Sequence, residues 1–405
     1  MKRLLIFLLL IQHVSSTFSQ TANDLYDIGL KYKKTDNYYG AIKAFTDCIN
    51  TAPYYYDAFY ERANCYLKVK DTENAIRDYT RALDIQKKYP EAFYARAIVY
   101  EQLEKYNVAI SDFSEAINQK PTFVDAYIHR GTMYMKVGEK ELSIKDFTKA
   151  AELGKTNPNV YFNRAKLYIE LKQEQKAVDD LSQVIKLQPN NVEAYYLRGK
   201  LLEYLNDNDA AIADYDKAIE LKMLNKDIFR RRADAAYKAQ LWEKAVNDYT
   251  VLITQYDKRN DTLLLNRGMA NTELGKYDIA ITDFNKVIAI NKDNQDVYVY
   301  RAENKIRQKN NQAALIDLNK VININPKHLK ARQLRATIYF NQNKYAMAVD
   351  DLDMVIKLKP NAEAYYERAV CKQMSNDPKG PCDDLQKAAA MGHEEAKRIA
   401  SKNCF

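Results

Sequence analysis

Glycine and proline are scarce: ten and nine in 405 residues, with no low-complexity stretch among them. That leaves little room for flexible linkers. Histidine is scarcer still, at four residues. Beyond His13, the residues His129, His328 and His393 stand far from one another and from every cysteine, so no metal-ligand spacing is present. The sequence also lacks a phosphate-cradling glycine loop, a G-x-S-x-G elbow and an H-E-x-x-H helix. An active site would have to be assembled from scattered residues, so the expectation is a protein that is not an enzyme, with no catalytic residue, metal or cofactor. Charge of one sign is weak as well. The formal balance is +8 overall, and +6 without the first twenty residues, with 60 basic against 54 acidic side chains. No helix gathers that excess into a basic stripe, which argues against nucleic acid as a partner.

The apolar run Leu4 to Ile11 is too short to span a bilayer, and no integral membrane segment is expected. With Lys2 and Arg3 before it and Ser15, Ser16, Thr17 and Ser19 after it, residues 1–19 have the order of a secretory signal. Thr17 and Ser19 suit the two small positions before a cut, leaving Gln20 first; a cut guided by Val14 and Ser16 is the other choice. A buried N-terminal helix is the structural alternative. No cysteine lies near the cut, unlike in a bacterial lipoprotein. The leader and the Tyr-, Lys- and Asn-rich composition resemble an envelope protein of a Gram-negative bacterium, so the expected location is the periplasm.

The rest of the chain repeats itself. In the stretch from Pro90 to Phe123, Phe93, Ala97 and Tyr100 share one helical face and Ala109, Phe113 and Ala116 share another. Asn107 lies between the two sets and Pro121 follows the second, which describes two antiparallel helices with a sharp stop. The spacing recurs in units that start at residues 22, 56, 90, 124, 158, 192, 226, 261, 295, 329 and 362. The step is 34, with one extra residue before Asp261 and one fewer before Ala362. Counting from each start, position 8 is always Ala or Gly, and position 20 is Ala or Ser except at Pro381. Small residues at a crossing let two helices approach closely, while aromatics fill the space around it. One such hairpin cannot bury its apolar faces, but a stack can.

The order aromatic, x3, Ala/Gly, x2, Tyr, x8, Ala, x3, aromatic, x2, Ala, x4, Pro resembles the tetratricopeptide repeat. The resemblance covers residues 22–391. It implies an all-α, right-handed superhelical solenoid of antiparallel helix pairs, a peptide-binding inner face and a non-catalytic role. Residues 392–405 read as a capping helix and tail, with Ala396, Ile399 and Ala400 available to pack. The usual aromatics give way to Asn271, Lys305 and Arg332, and an extra residue lies near Tyr256 to Asn260. The stretch 254–345 is therefore expected to pack more loosely and to bend or soften.

Arginine holds position 7 in ten successive units, beginning Arg62, Arg96 and Arg130, and an aspartate follows sixteen residues later, beginning Asp78, Asp112 and Asp146. The first unit lacks both, carrying Ile28 and Ala44. Pairing with the preceding unit would leave Arg62 facing Ala44, so the expectation is a bridge within each unit, shared in part with a neighbour. A line of guanidinium groups for an anionic polymer is the functional alternative, but each Arg has its own carboxylate beside the small crossing residue, where an unpaired charge is costly.

In the resembled family, positions 2, 5, 9, 12 and 13 line the inner surface. Carried over, this selects Tyr26, Tyr60, Asn64, Tyr94, Phe162, Lys166, Tyr196 and Lys200 as the partner-binding groove, suited to an extended peptide or a helix. The structural alternative is that these rings pack against the next first helix with only their hydroxyls wet. Of the lysine and asparagine clamp that some members use for a C-terminal carboxylate, only Asn64 is present. Five cysteines allow up to two bridges in an oxidising compartment. Cys382 and Cys404 resemble a closing pair of secreted members, and Cys48 and Cys65 fall at the first inter-repeat junction. Connectivity stays open, since Cys371 competes for either pair and all five also suit a reduced core. The functional expectation is an interaction scaffold that holds a protein or peptide of the cell envelope, in an oligomeric state the sequence does not fix. The alternative is a glycan- or cell-wall-associated factor supporting an envelope machine.

Overall fold

The computed structural model describes residues 21–154, 156–375 and 380–404, so the leader lies outside the described residues. Among these the chain is helical throughout, in two compact units, 1–201 and 202–405. First helices are α1 (21–34), α3 (Tyr56–Lys68), α5 (Pro90–Gln102), α7 (Val124–Val137), α9 (Pro158–Glu170) and α11 (Val192–Tyr204). They continue as α13 (Lys226–Lys238), α15 (Asp261–Glu273), α17 (Gln295–Arg307), α19 (Leu329–Asn341) and α21 (Ala362–Met374). Second helices are α2 (Tyr38–Thr51), α4 (Thr72–Ile85), α6 (Tyr106–Gln119), α8 (Lys140–Leu153), α10 (Glu174–Leu187) and α12 (Asn208–Glu220). After these come α14 (Trp242–Val251), α16 (Tyr277–Ile290), α18 (Asn311–Ile324), α20 (Tyr345–Leu358) and α22 (Cys382–Ala390), and then α23 (Glu394–Asn403).

Each hairpin closes over its small residues. Ala63, Ala97 and Ala165 at position 8 and Ala75, Ala109 and Ala177 at position 20 have no exposed surface. A Cβ at Gly29 would lie 2.4 Å from the Phe45 ring, and one at Gly268 would lie 2.7 Å from Phe284, so an alanine at either crossing would have to displace the ring. Position 15 carries the turn between the two helices, with positive φ at Asp36, Lys70, Glu104, Gly138, Lys172, Asn206, Gln240, Gly275, Lys309 and Asn343. The next residue's N–H returns to the first helix, as in Asp71 to Tyr66 O at 2.8 Å and Lys105 to Tyr100 O at 2.9 Å. This is a left-handed helix stop built mostly without glycine.

The extra residue before Asp261 is absorbed in one turn. Residues Leu252–Tyr256 are π-helical, and Asp257 N–H bonds Leu252 O five residues back, where the other second helices close on the fourth. The polar replacements nearby are bonded: Asn271 Nδ2 to Arg267 O at 3.0 Å, Lys305 Nζ to Asp317 at 2.8 Å and Arg332 Nη1 to Asp351 at 2.7 Å. Hydrogen bonds thus stand where the aromatic contacts of the other units would be.

The Cys48–Cys65 bridge is not formed; both are free, buried thiols, as is Cys371. The reason lies in the register. Cys48 stands at position 27, where Ala82, Ala116 and Val184 are equally buried, and Cys65 and Cys371 stand at position 10 with Val99, Met133 and Leu167. They act as small apolar core residues, and burial pushes each thiol up to about 11. Cys382 and Cys404 are bonded, with Cα atoms 5.3 Å apart, and tie α23 onto α22, where Ala396 is buried.

Candidate functional site

The first helices of the N-terminal unit carry their aromatics in a fixed setting. The Tyr26 ring lies between Phe45 of α2 and Tyr55, at 5.6 and 5.1 Å; Tyr60 lies between Tyr79 and Tyr89, at 5.7 and 5.0 Å. Tyr94 repeats the arrangement with Phe113 and Phe123, at 5.7 and 4.7 Å. The rings are therefore half-buried wedges between a second helix and the residue that precedes the next first helix. Burial pushes the Tyr60 hydroxyl up and the Tyr94 hydroxyl up to about 12, so both remain donors.

Position 34 sets this arrangement and was not singled out in the sequence. In the first three units it is Tyr55, Tyr89 and Phe123, and the helices they precede have no side-chain cap. Just before later helices stand Asn225, Asn260, Asn294, His328, Asn361 and His393, each accepting the N–H three residues on. Tyr55 and Tyr89 instead reach back to position 2, bonding Asn23 at 3.0 Å and Asp57 at 2.9 Å. The imidazoles of His328 and His393 do both, facing Asp296 at 3.6 Å and Glu363 at 3.3 Å. Histidine here is a cap and a brace.

Among the candidate groove residues, Asn64 is engaged inside the protein. Its Oδ1 accepts from the Tyr79 hydroxyl at 2.7 Å and its Nδ2 donates to Glu61 at 3.3 Å. Lys166 lies 4.3 Å from the centre of the Phe162 ring and 3.4 Å from Glu193, and Lys200 lies 5.4 Å from the Tyr196 ring. These i, i+4 pairs cover the aromatic faces with ammonium groups. Beside Asn64, an open recess of about 570 Å³ is lined by Lys33, Leu67, Lys68, Lys70 and Gln102. Lys33 is paired with Glu61, whereas Lys68 and Lys70 are exposed and have no ion pair among the described residues. The recess therefore has a positive excess.

The arginine ladder is occupied internally. Nε and Nη2 of Arg62, Arg96 and Arg130 grip both oxygens of Asp78, Asp112 and Asp146 at 2.6–2.9 Å. The same fork recurs through the chain to Arg368 and Asp384. Nη1 bonds the preceding unit at position 25: Thr46, Thr80, Ser114, Thr148, Ser182, Asp216, Thr250, Asn285, Asn319 and Asp353, at 2.5–3.1 Å. That third partner was legible as an unbroken column of small polar residues, yet the sequence reading passed over it. With each of its three nitrogens bonded inside the protein and its charge paired to a carboxylate, the ladder is a poor site for an anionic polymer. Among the described residues no His, Cys, Asp and Glu cluster could hold a metal, and no helix is long and apolar enough to cross a membrane.

The sequence pattern of the tetratricopeptide repeat matches residues 56–89, 90–123, 124–156, 158–191, 192–222 and 262–294. The chain is a tetratricopeptide repeat (TPR) protein. Its solved relatives include the C-terminal part of a TPR repeat-containing protein from Cytophaga hutchinsonii, with 18% identity over 68% of this chain and 98% of that one, at a TM-score of 0.44. A TPR protein from Parabacteroides merdae has 21% identity over 62% and 98%, at 0.37. YrrB, described as a TPR protein with an unusual peptide-binding site, has 23% identity over 46% and 95%, at 0.39. No curated protein matches this TPR chain.

Proposed function

We propose that this TPR protein is a non-catalytic interaction scaffold of the cell envelope, exported to the periplasm of a Gram-negative bacterium. On this reading it holds a peptide or helix of a partner protein against the first helices between Tyr26 and Lys200. The observation that carries the proposal is the recess beside Asn64, where three lysines meet one carboxylate on, or one turn beyond, the helices that carry Tyr26 and Tyr60. Half-buried tyrosines near a positive excess suit a segment that carries acidic residues among apolar ones. The rings themselves are poor targets for the test, because truncating a half-buried tyrosine would remove packing as well as contact. Exposed Lys68 and Lys70 are better ones.

The test is affinity capture from an envelope extract with the mature protein and with the Lys68→Glu/Lys70→Glu variant, the latter checked for helicity by circular dichroism. A protein retained by the first, lost by the folded variant and displaced by its own isolated acidic segment supports the proposal. Equal retention by both removes the recess from the interface. Cosedimentation of both with purified wall material, without a captured protein, would favour the glycan-associated role instead.

A further inference from the structure

A second recess, of about 200 Å³, lies in the C-terminal unit among α19, α20 and α21. Its wall is mostly apolar, from Ala336, Phe340, Leu352, Val370 and Cys371, joined by Thr337 and Tyr366 and by one charged member, Glu367. The repeat register explains why it is there. Position 24, which forms the floor, is an aromatic in most units, including Phe45, Tyr79, Phe113, Phe147, Tyr215, Tyr249 and Phe284, and all of these are buried. In the tenth unit it is Leu352, which leaves the space of most of a ring unfilled. Leu181 and Leu318 also stand at position 24, but there the facing position 6 is filled by Leu197 and Leu334, whereas opposite Leu352 it is Glu367.

The charge is equally out of place. Position 6 faces position 12 of the preceding unit, and elsewhere a charged group there has a partner: Glu61 with Lys33, His129 with Glu101 at 2.7 Å and Arg231 with Glu203 at 3.2 Å. Opposite Glu367 stands Phe340, and Glu367 makes no hydrogen bond or ion pair among the described residues. Burial, with Glu363 nearby, pushes its carboxyl up. The junction thus lacks two things that the first junction has, an aromatic at position 24 and an ammonium beside position 6.

We propose that this recess binds an apolar ring or branched alkyl group that carries a primary ammonium a few bonds away, with the ammonium paired to the Glu367 carboxylate. An apolar cavity of about 150 Å³ admits benzene, so the volume suffices for a ring with its amine at the open side. A free aralkylamine and the amino-terminal Phe or Leu of a polypeptide present this same chemistry. The proposal does not rest on the N-terminal recess, which lies in the other unit.

The test is calorimetric titration of the full chain with phenethylamine, its neutral analogue 2-phenylethanol, the dipeptide Phe-Ala-amide and its N-acetyl form. Phenethylamine should bind, and Glu367→Gln should weaken it by about tenfold or more, the usual effect of losing one charged hydrogen bond, while leaving 2-phenylethanol unchanged. Leu352→Phe, which restores the ring that most other units carry, should abolish binding with helicity intact. Phe-Ala-amide binding without its N-acetyl form would identify a polypeptide terminus as the source; phenethylamine alone would identify a free amine. No binding of phenethylamine, equal binding of the neutral analogue, or binding unchanged in both variants would overturn the proposal.

Discussion

At the scale of single residues, the decisive fact is that the ladder guanidinium uses all three nitrogens on two partner residues. Arg96 grips Asp112 with two nitrogens and Thr80 of the preceding unit with the third, at 2.9 Å. The Thr80 hydroxyl donates to Ile76 O in its own helix, so it accepts from Arg96 without leaving a group unpaired. Removing the carboxylate strands a buried cation, whereas removing the hydroxyl loses one bond. Asp112→Ala should therefore cost about 3–5 kcal/mol and Thr80→Val about 1 kcal/mol, measured by urea unfolding. Charge also sets a pH dependence. Burial alone would raise the Asp384 carboxyl, but hydrogen bonds from Arg368 and Lys372 outweigh it and hold the group below its ordinary range. A depressed carboxylate contributes stability above its unfolded pKa, about 4, and loses it as the pH falls through the folded value. The stability gap between the natural protein and Asp384→Asn should be full at pH 6 and shrink below pH 4 in urea titrations.

At the scale of elements, the turns and the one π-helical turn govern. Position 15 adopts positive φ whether or not it is glycine, and a side chain there costs about 1–2 kcal/mol of backbone strain. Nothing lies within 4 Å of a Cβ built on Gly138, so space does not limit that site. Gly138→Ala should cost about 1 kcal/mol by conformation alone, and Glu104→Gly should gain about 0.5 kcal/mol after the entropy of glycine is set against the relieved strain. Thermal unfolding of the two variants checks both signs. Glycine content thus understates how many left-handed turns the chain makes. The π turn at Leu252–Tyr256 has the opposite lesson: one inserted residue is absorbed locally, and Arg267 still reaches Thr250, now seventeen residues away instead of sixteen.

At the scale of the whole molecule, helix pairs within each compact unit pack on their neighbours in sequence, so the stability of a unit is a sum of repeat and junction terms. The free thiols report on both compact units, Cys48 and Cys65 in one and Cys371 in the other. Burial and a thiol pKa of about 11 predict that none reacts with iodoacetamide at pH 8 in the native protein. As urea is raised, Cys371 should label at a different concentration from Cys48 and Cys65, because a repeat array need not unfold in one step. Simultaneous labelling of all three, resolved by peptide mass spectrometry, would show one cooperative unit instead.

The period of the sequence determined the helix pairs, the small crossings and the partner of each ladder arginine, because every one of these is a contact at fixed separation within a repeat. The joint absence of the arginine and the aspartate from the first unit, where Ile28 and Ala44 stand instead, was enough to choose between two pairings. Tertiary structure alone decided the rest. Whether Tyr60 is a wall or a wedge depends on Tyr79 and Tyr89 closing on it from two sides, and whether Asn64 is free depends on Glu61 and Tyr79. Cys48 and Cys65 are core residues and not a bridge because their positions point into two buried apolar columns. The space above Leu352 likewise exists only when two successive first helices stand over one floor, a relation between units that no single repeat contains.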